Sequence, residues 1–164
     1  MQQFLVIIAL HAALATTPEI DAEASGTHLE PMRTAVTDAQ DSTDVLRVKA
    51  ERGEPDAEYK LGLAYDVGVG APQDLAQAAA WYERAAEQGH PGAQFSLGLM
   101  YGNGRGVPQD LVRAHMWLNL AAAASQAGAR SERDLIAKKM TRQQIAEAIR
   151  QARSWEPKSP TPRQ

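Results

Sequence analysis

With 164 residues and a hydrophobic fraction of 44%, the chain has room for about one domain with its own core. Only 5% of residues are aromatic and alanine is abundant, while valine, isoleucine and threonine are sparse beyond the first dozen positions, a balance that favours packed helices over strands. A formal charge of −3 with no long basic run argues against a nucleic-acid partner, and the absence of cysteine excludes disulfides, thiolate metal sites, a cysteine nucleophile and a lipoprotein anchor.

In chain order, the first element is the apolar run Phe4–Ala15, broken only by His11. Its twelve residues are too few to cross a bilayer, which takes about 20, so no integral membrane span is expected. The run ends in Ala13-Leu14-Ala15, which fits the centre and cleavage site of a secretory signal over residues 1–15, although no lysine or arginine precedes it; a second small-x-small site stands at Ala22-Glu23-Ala24. The expected location is therefore periplasmic or secreted, with an uncleaved cytoplasmic protein as the alternative. Residues 16–43 are polar with scattered prolines and read as a flexible leader. Residues 156–164, EPKSPTPRQ, read as a disordered tail, leaving an ordered unit over 44–155.

Inside that unit the chain repeats itself. The 36 residues from Ala57 and the 36 from Ala93 align without a gap and are identical at 16 positions. A period of this length is the signature of a solenoid, in which stacked units bury a continuous core. Ala57/Ala93, Leu61/Leu97, Gly62/Gly98 and Tyr65/Tyr101 fall on one face of a first helix. A glycine kept twice inside a helix implies that a second helix crosses there, too close for a side chain. Gly68/Gly104 close that helix, Gly70/Gly106 and Pro72/Pro108 shape the turn, and Asp74/Asp110 cap a second helix. Ala78/Ala114, Trp81/Trp117, Ala85/Ala121 and Ala86/Ala122 form the inward stripe of the second helix. The glycine-rich stretch before Pro108 is thus an interhelical turn, since a phosphate-binding loop would follow a strand and end in Gly-Lys-Ser/Thr.

The pattern runs outward in both directions. Residues 44–53 match the second helix of an earlier, incomplete unit. After Gly128, a further first helix carries Arg133, Asp134 and Ala137 where the motif has Leu, Gly and Tyr. Thr141 and Gln144 make a capping box for a last helix with an Ile145, Ala148, Ile149, Ala152 stripe. The expected fold is all-α: about seven helices forming a short right-handed α-solenoid of antiparallel pairs, with full repeats at 57–92 and 93–128 and half-repeats at 44–56 and 129–155.

These residues resemble the Sel1-like repeat, a relative of the tetratricopeptide repeat: an alanine, Leu-Gly-x-x-Tyr, a Gly-x-Gly turn, an acid after Pro-x, Ala-x-x-Trp, Ala-Ala and a closing glycine. The first repeat matches throughout; in the second, Ser125 replaces the closing glycine of Gly89. The resemblance implies a non-enzymatic adaptor that binds a protein or peptide, here in a bacterial envelope. Two alternatives accompany it: a cell-wall hydrolase or β-lactam-interacting protein, and a self-associating structural module. The penicillin-binding relatives carry paired cysteines that this chain lacks.

In such a solenoid the first helices line the concave side. The positions not facing the partner helix are Tyr59, Leu63 and Asp66, then Phe95, Leu99 and Gly102 one period on. Tyr59, Leu63, Phe95 and Leu99 would form an apolar groove for a peptide, with packing between adjacent repeats as the bland reading. Leu61, Gly62, Tyr65, Trp81, Leu97, Gly98, Tyr101 and Trp117 are read as structural. His11, His28, His90 and His115 share no metal-ligand spacing, and His115, in the place of Ala79, is expected at the solvent. Glu83 and Glu87 read as a solvated helix face, and the basic residues between Arg130 and Arg153 as ordinary helix decoration. No catalytic residue, metal or cofactor is expected.

Overall fold

The computed structural model describes residues 43–159, all within one compact unit. The signal and leader readings and the end of the tail lie outside these residues. Among the described residues there are seven helices and no strand: α1 over residues 43–51, α2 Pro55–Val67, α3 Leu75–Glu87, α4 Pro91–Asn103, α5 Leu111–Ala123, α6 Ala129–Ala137 and α7 Arg142–Ser154. Helices α2/α3 and α4/α5 are successive packed pairs, and α1 stands as the second helix of an earlier one. Each helix packs on the next from α2 to α6, and α7 closes onto α5. The expected α-solenoid is what the chain forms.

The repeated residues act as the chemistry of helix ends requires. Asp74 and Asp110 share φ −146° and ψ 101°, and each accepts two backbone N–H groups at 3.0 Å, from Ala76 and Gln77 and from Val112 and Arg113. Such a cap stabilises by about 1 kcal/mol. Pro55 and Pro91 open α2 and α4, where the missing N–H leaves nothing unpaired. Thr141 and Gln144 form the reciprocal capping box of α7. A feature the motif hid is Gln73/Gln109: each side-chain amide donates to the carbonyl of a residue at the end of the preceding helix, Asp66 at 2.7 Å and Gly102 at 2.8 Å.

The core repeats with the same period. Ala50, Ala57 and Leu61 pack with Leu46, Tyr65 and Trp81; 36 positions on, Ala86, Ala93 and Leu97 pack with Tyr82, Tyr101 and Trp117. Helices α2 and α4 are therefore each wedged between the second helix of the preceding pair and that of their own. The helical glycines sit at the second of these contacts. A Cβ on Gly62 would lie 2.7 Å from Cδ1 of Tyr82, and one on Gly98 would lie 2.8 Å from Cγ of Leu118. Tyr82 and Leu118 are fully buried and were not part of the expected stripe.

Three further expectations change. His115 is buried, not solvent-facing, at 4% exposure. Ala79, one period earlier, is equally buried, because α5 carries a helix on both sides. Its Nδ1 has no hydrogen-bond partner among the described residues, and burial, reinforced by Arg133, holds its pKa below the ordinary imidazole value. Gly102, read as a concave position, is buried beneath Ile136, whose Cδ1 would stand 2.9 Å from an added Cβ. The start of the proline-rich tail is held in place. Trp155 meets Trp117 edge-on with centroids 6.2 Å apart, and Lys158 donates its N–H to the Glu87 carbonyl at 2.8 Å and its Nζ to the Glu87 carboxylate at 2.6 Å.

Candidate protein-binding site

The residues expected to line a groove fall into two groups. Tyr59 is half-buried: its ring stacks on His90 at 4.5 Å, lies tilted 5.7 Å from Tyr82 and reaches the first turn of α4 at Gly92. Phe95 repeats this one period later, packing on Ala121, Ala122 and Ala129 beside Gly128. Leu99 is half-buried against the main core. Asp66 accepts from Arg105 at 3.0 Å and from the Tyr82 hydroxyl at 3.4 Å, which ties the end of α2 to the turn after α4. Tyr59, Asp66 and Phe95 engage the neighbouring repeat, and Leu99 the main core.

Leu63 stands apart. It is 43% exposed and opens into a groove of about 410 Å³ between α1 and α2, lined by Thr43, Leu46, Lys60, Leu63, Ala64, Val67 and Val69. Val45, Val48, Val67 and Val69 are also exposed, so this end of the solenoid presents a concentration of large apolar side chains. Apolar patches of this kind mark interaction sites on soluble proteins. The signal missed in the sequence is that Val67 and Val69 take the places of Asn103 and Arg105, so the two otherwise similar repeats differ at this edge.

Beside the groove a buried charge joins three helices. Glu58 is 1% exposed and accepts from Arg84 Nε at 2.8 Å and Gln88 Nε2 at 2.6 Å. Arg84 also donates to the Ala50 carbonyl at 3.1 Å and lies 4.6 Å over the Trp81 ring. Burial raises the Glu58 carboxyl above its ordinary value, with Arg84 opposing the shift. One period on, Gln94, Leu120 and Ala124 stand in these three places, so the network is replaced as a set. That joint replacement was the sequence signal for it.

Replacing Arg84 with methionine leaves the buried carboxylate with Gln88 alone and should cost about 2–3 kcal/mol at pH 7. The carboxyl is then raised further. A folded-state value above the unfolded one means that the folded chain binds the proton more tightly, so stability is present at low pH and lost as pH rises through the folded value. The deficit of Arg84→Met relative to wild type should therefore shrink from pH 7 to pH 4.5 in urea unfolding; a deficit independent of pH would show that Glu58 is not the group left behind.

Among the described residues no three His, Asp or Glu side chains are arranged to hold a metal, and no helix is long and apolar enough to cross a membrane. The family model of the Sel1 repeat matches residues 55–90 and 91–125. The chain carries two Sel1 repeats. Sel1 repeats are in general protein–protein interaction modules.

Two solved Sel1-repeat structures resemble the chain. One is a protective antigen present in uropathogenic Escherichia coli strains, 33% identical over 71% of this chain with a TM-score of 0.68. The other is a Sel1 repeat protein from Oxalobacter formigenes, 30% identical over 59% of this chain with a TM-score of 0.58. The chain spans 25% and 40% of those two proteins, so the likeness covers a part of each. No curated protein matches the chain.

Proposed function

We propose that this Sel1-repeat chain is a non-enzymatic adaptor of a bacterial envelope that takes a protein or peptide at the edge groove between α1 and α2. The observation that carries this reading is the exposure of Leu63, Val67 and Val69 beside Leu46, in repeats whose other large apolar side chains are mostly packed. Tyr59, Asp66 and Phe95 support binding indirectly by holding adjacent repeats in register. Export is supported by the short apolar run ahead of Ala13-Leu14-Ala15 and gives the adaptor a periplasmic or extracellular setting.

The test is crosslinking capture from intact cells with tagged full-length protein and a Leu63→Glu/Val67→Glu variant as control, with mass spectrometry reading both partners and the bait's own N-terminus. Both substitutions fall on exposed positions, so the fold is retained. The expected result is a specific envelope protein lost in the variant and a bait starting near Thr16 or Ser25. Undiminished capture by the variant would remove the groove. A bait that retains Met1 and crosslinks to cytosolic proteins would remove the envelope setting.

A further inference from the structure

The internal repeat says what shape the edge groove is built for. Among the described residues, α3 and α5 each have the first helix of their own pair packed beside them, and α1 does not. The groove walls are α1 at Leu46 and α2 at Lys60, Leu63, Val67 and Val69. One period on, the same walls are α3 at Tyr82 and α4 at Ser96, Leu99, Asn103 and Arg105. That second seat is filled, and α2 fills it. Gly62 lies against Tyr82, Asp66 meets the Tyr82 hydroxyl and Arg105, and Tyr59 lies over His90 and Gly92.

Building on the adaptor reading, we propose that the groove takes one amphipathic helix of a partner protein, seated on α1 and α2 as α2 is seated on α3 and α4. The side chains that differ between the two seats define that helix. Leu46 replaces Tyr82, so the occupant needs a small residue there, as α2 has Gly62. Leu46 and Val69 replace the hydroxyl and guanidinium that hold Asp66, so four residues further on the occupant carries an apolar side chain. Exposed Glu54 and Asp56 replace His90 and Gly92, so three residues before the small one it carries lysine or arginine. The recognised pattern is basic-x-x-small-x-x-x-apolar on one helical face. The chain's own stretch one period upstream, residues 19–31, puts Asp21 and Ser25 where α2 has buried Ala57 and Leu61, and so lacks the required stripe.

Fluorescence anisotropy with the full-length protein tests this, using helix-stapled synthetic copies of residues 55–67. The matched probe carries Tyr59→Lys and Asp66→Leu. A blocked probe adds Gly62→Leu, and a reversed probe carries Tyr59→Glu in place of Tyr59→Lys. The matched probe should bind saturably, and the blocked probe at least about tenfold more weakly. Glu54→Lys in the protein should weaken the matched probe and strengthen the reversed one, an exchange that damage to the fold would not produce. Equal binding of matched and blocked probes, an unchanged order after Glu54→Lys, or no saturable binding would overturn the proposal. If no probe binds while cellular capture still depends on Leu63 and Val67, the helical occupant is wrong and the adaptor reading stands. If capture is also independent of those residues, both fall.

Discussion

Gly106→Ala should lower the unfolding free energy by about 3 kcal/mol or more, the largest effect expected from a single added methyl group in this chain. Gly106 has φ +70°, a conformation that an L-residue adopts only with strain. Its added Cβ would also lie 2.5 Å from the carbonyl carbon of Leu75 and closer still to the oxygen. That carbonyl belongs to the first residue of α3, so the clash is backbone against backbone and no rotamer relieves it. Gly104 is the control. It has a similar φ of +66°, but its nearest non-neighbouring atom is Cβ of Gln109 at 3.4 Å, so Gly104→Ala carries the strain of about 1 kcal/mol without the clash. Thermal unfolding should separate the two variants by roughly 10 °C. If Gly106→Ala were no worse than Gly104→Ala, the second repeat's turn would not rest on the start of α3, and the stacking of the two repeats would be misplaced.

The second large effect is at the crossing of α4 and α5. Leu118→Ala empties a fully buried site and should cost about 2–5 kcal/mol. Gly98→Ala should cost about 2 kcal/mol by overpacking, since its Cβ meets Leu118 at 2.8 Å and the Ala114 carbonyl oxygen at 3.3 Å. The two are coupled through one volume. In Gly98→Ala/Leu118→Ala the new methyl group faces the space that the leucine vacates, and the combined loss should fall short of the sum by about 1 kcal/mol or more. The contact with the Ala114 carbonyl remains, so the rescue is partial. Denaturant unfolding of the four proteins measures the coupling, and strict additivity would mean that the glycine serves some purpose other than close approach.

What could be read in advance follows the repeat. Gly62, Gly98, Asp74, Asp110 and the helix-ending glycines recur unchanged, and each does the job its chemistry demands. Tyr82 and Leu118 occupy one equivalent position yet differ in type, so a comparison of the two repeats for identity passes over the largest fully buried side chains of α3 and α5. The Glu58–Arg84–Gln88 network was hidden for the same reason. The counterpart of His115, Ala79, is silent about direction, and the burial of His115 depends on helices on both sides of α5. The tail reads as loose from its prolines, and no local pattern encodes the reach of Trp155 and Lys158 to Trp117 and Glu87. Tyr59 and Phe95 show the corresponding limit at the candidate site. A helical wheel marks them as facing away from their pair, but it does not distinguish an open face from the joint with the next repeat. The edge at Leu63 becomes evident only when Val67 and Val69 are compared with Asn103 and Arg105.

The measurement that bears most directly on partner binding is hydrogen–deuterium exchange on the full-length chain, free and with its captured partner bound. The expected result is added protection over residues 43–51 and 60–69, the two walls of the edge groove, with α6 and α7 unchanged. Protection confined to α6 and α7, or to the turn at residues 104–110, would contradict the assignment and move the binding surface to the other end of the solenoid.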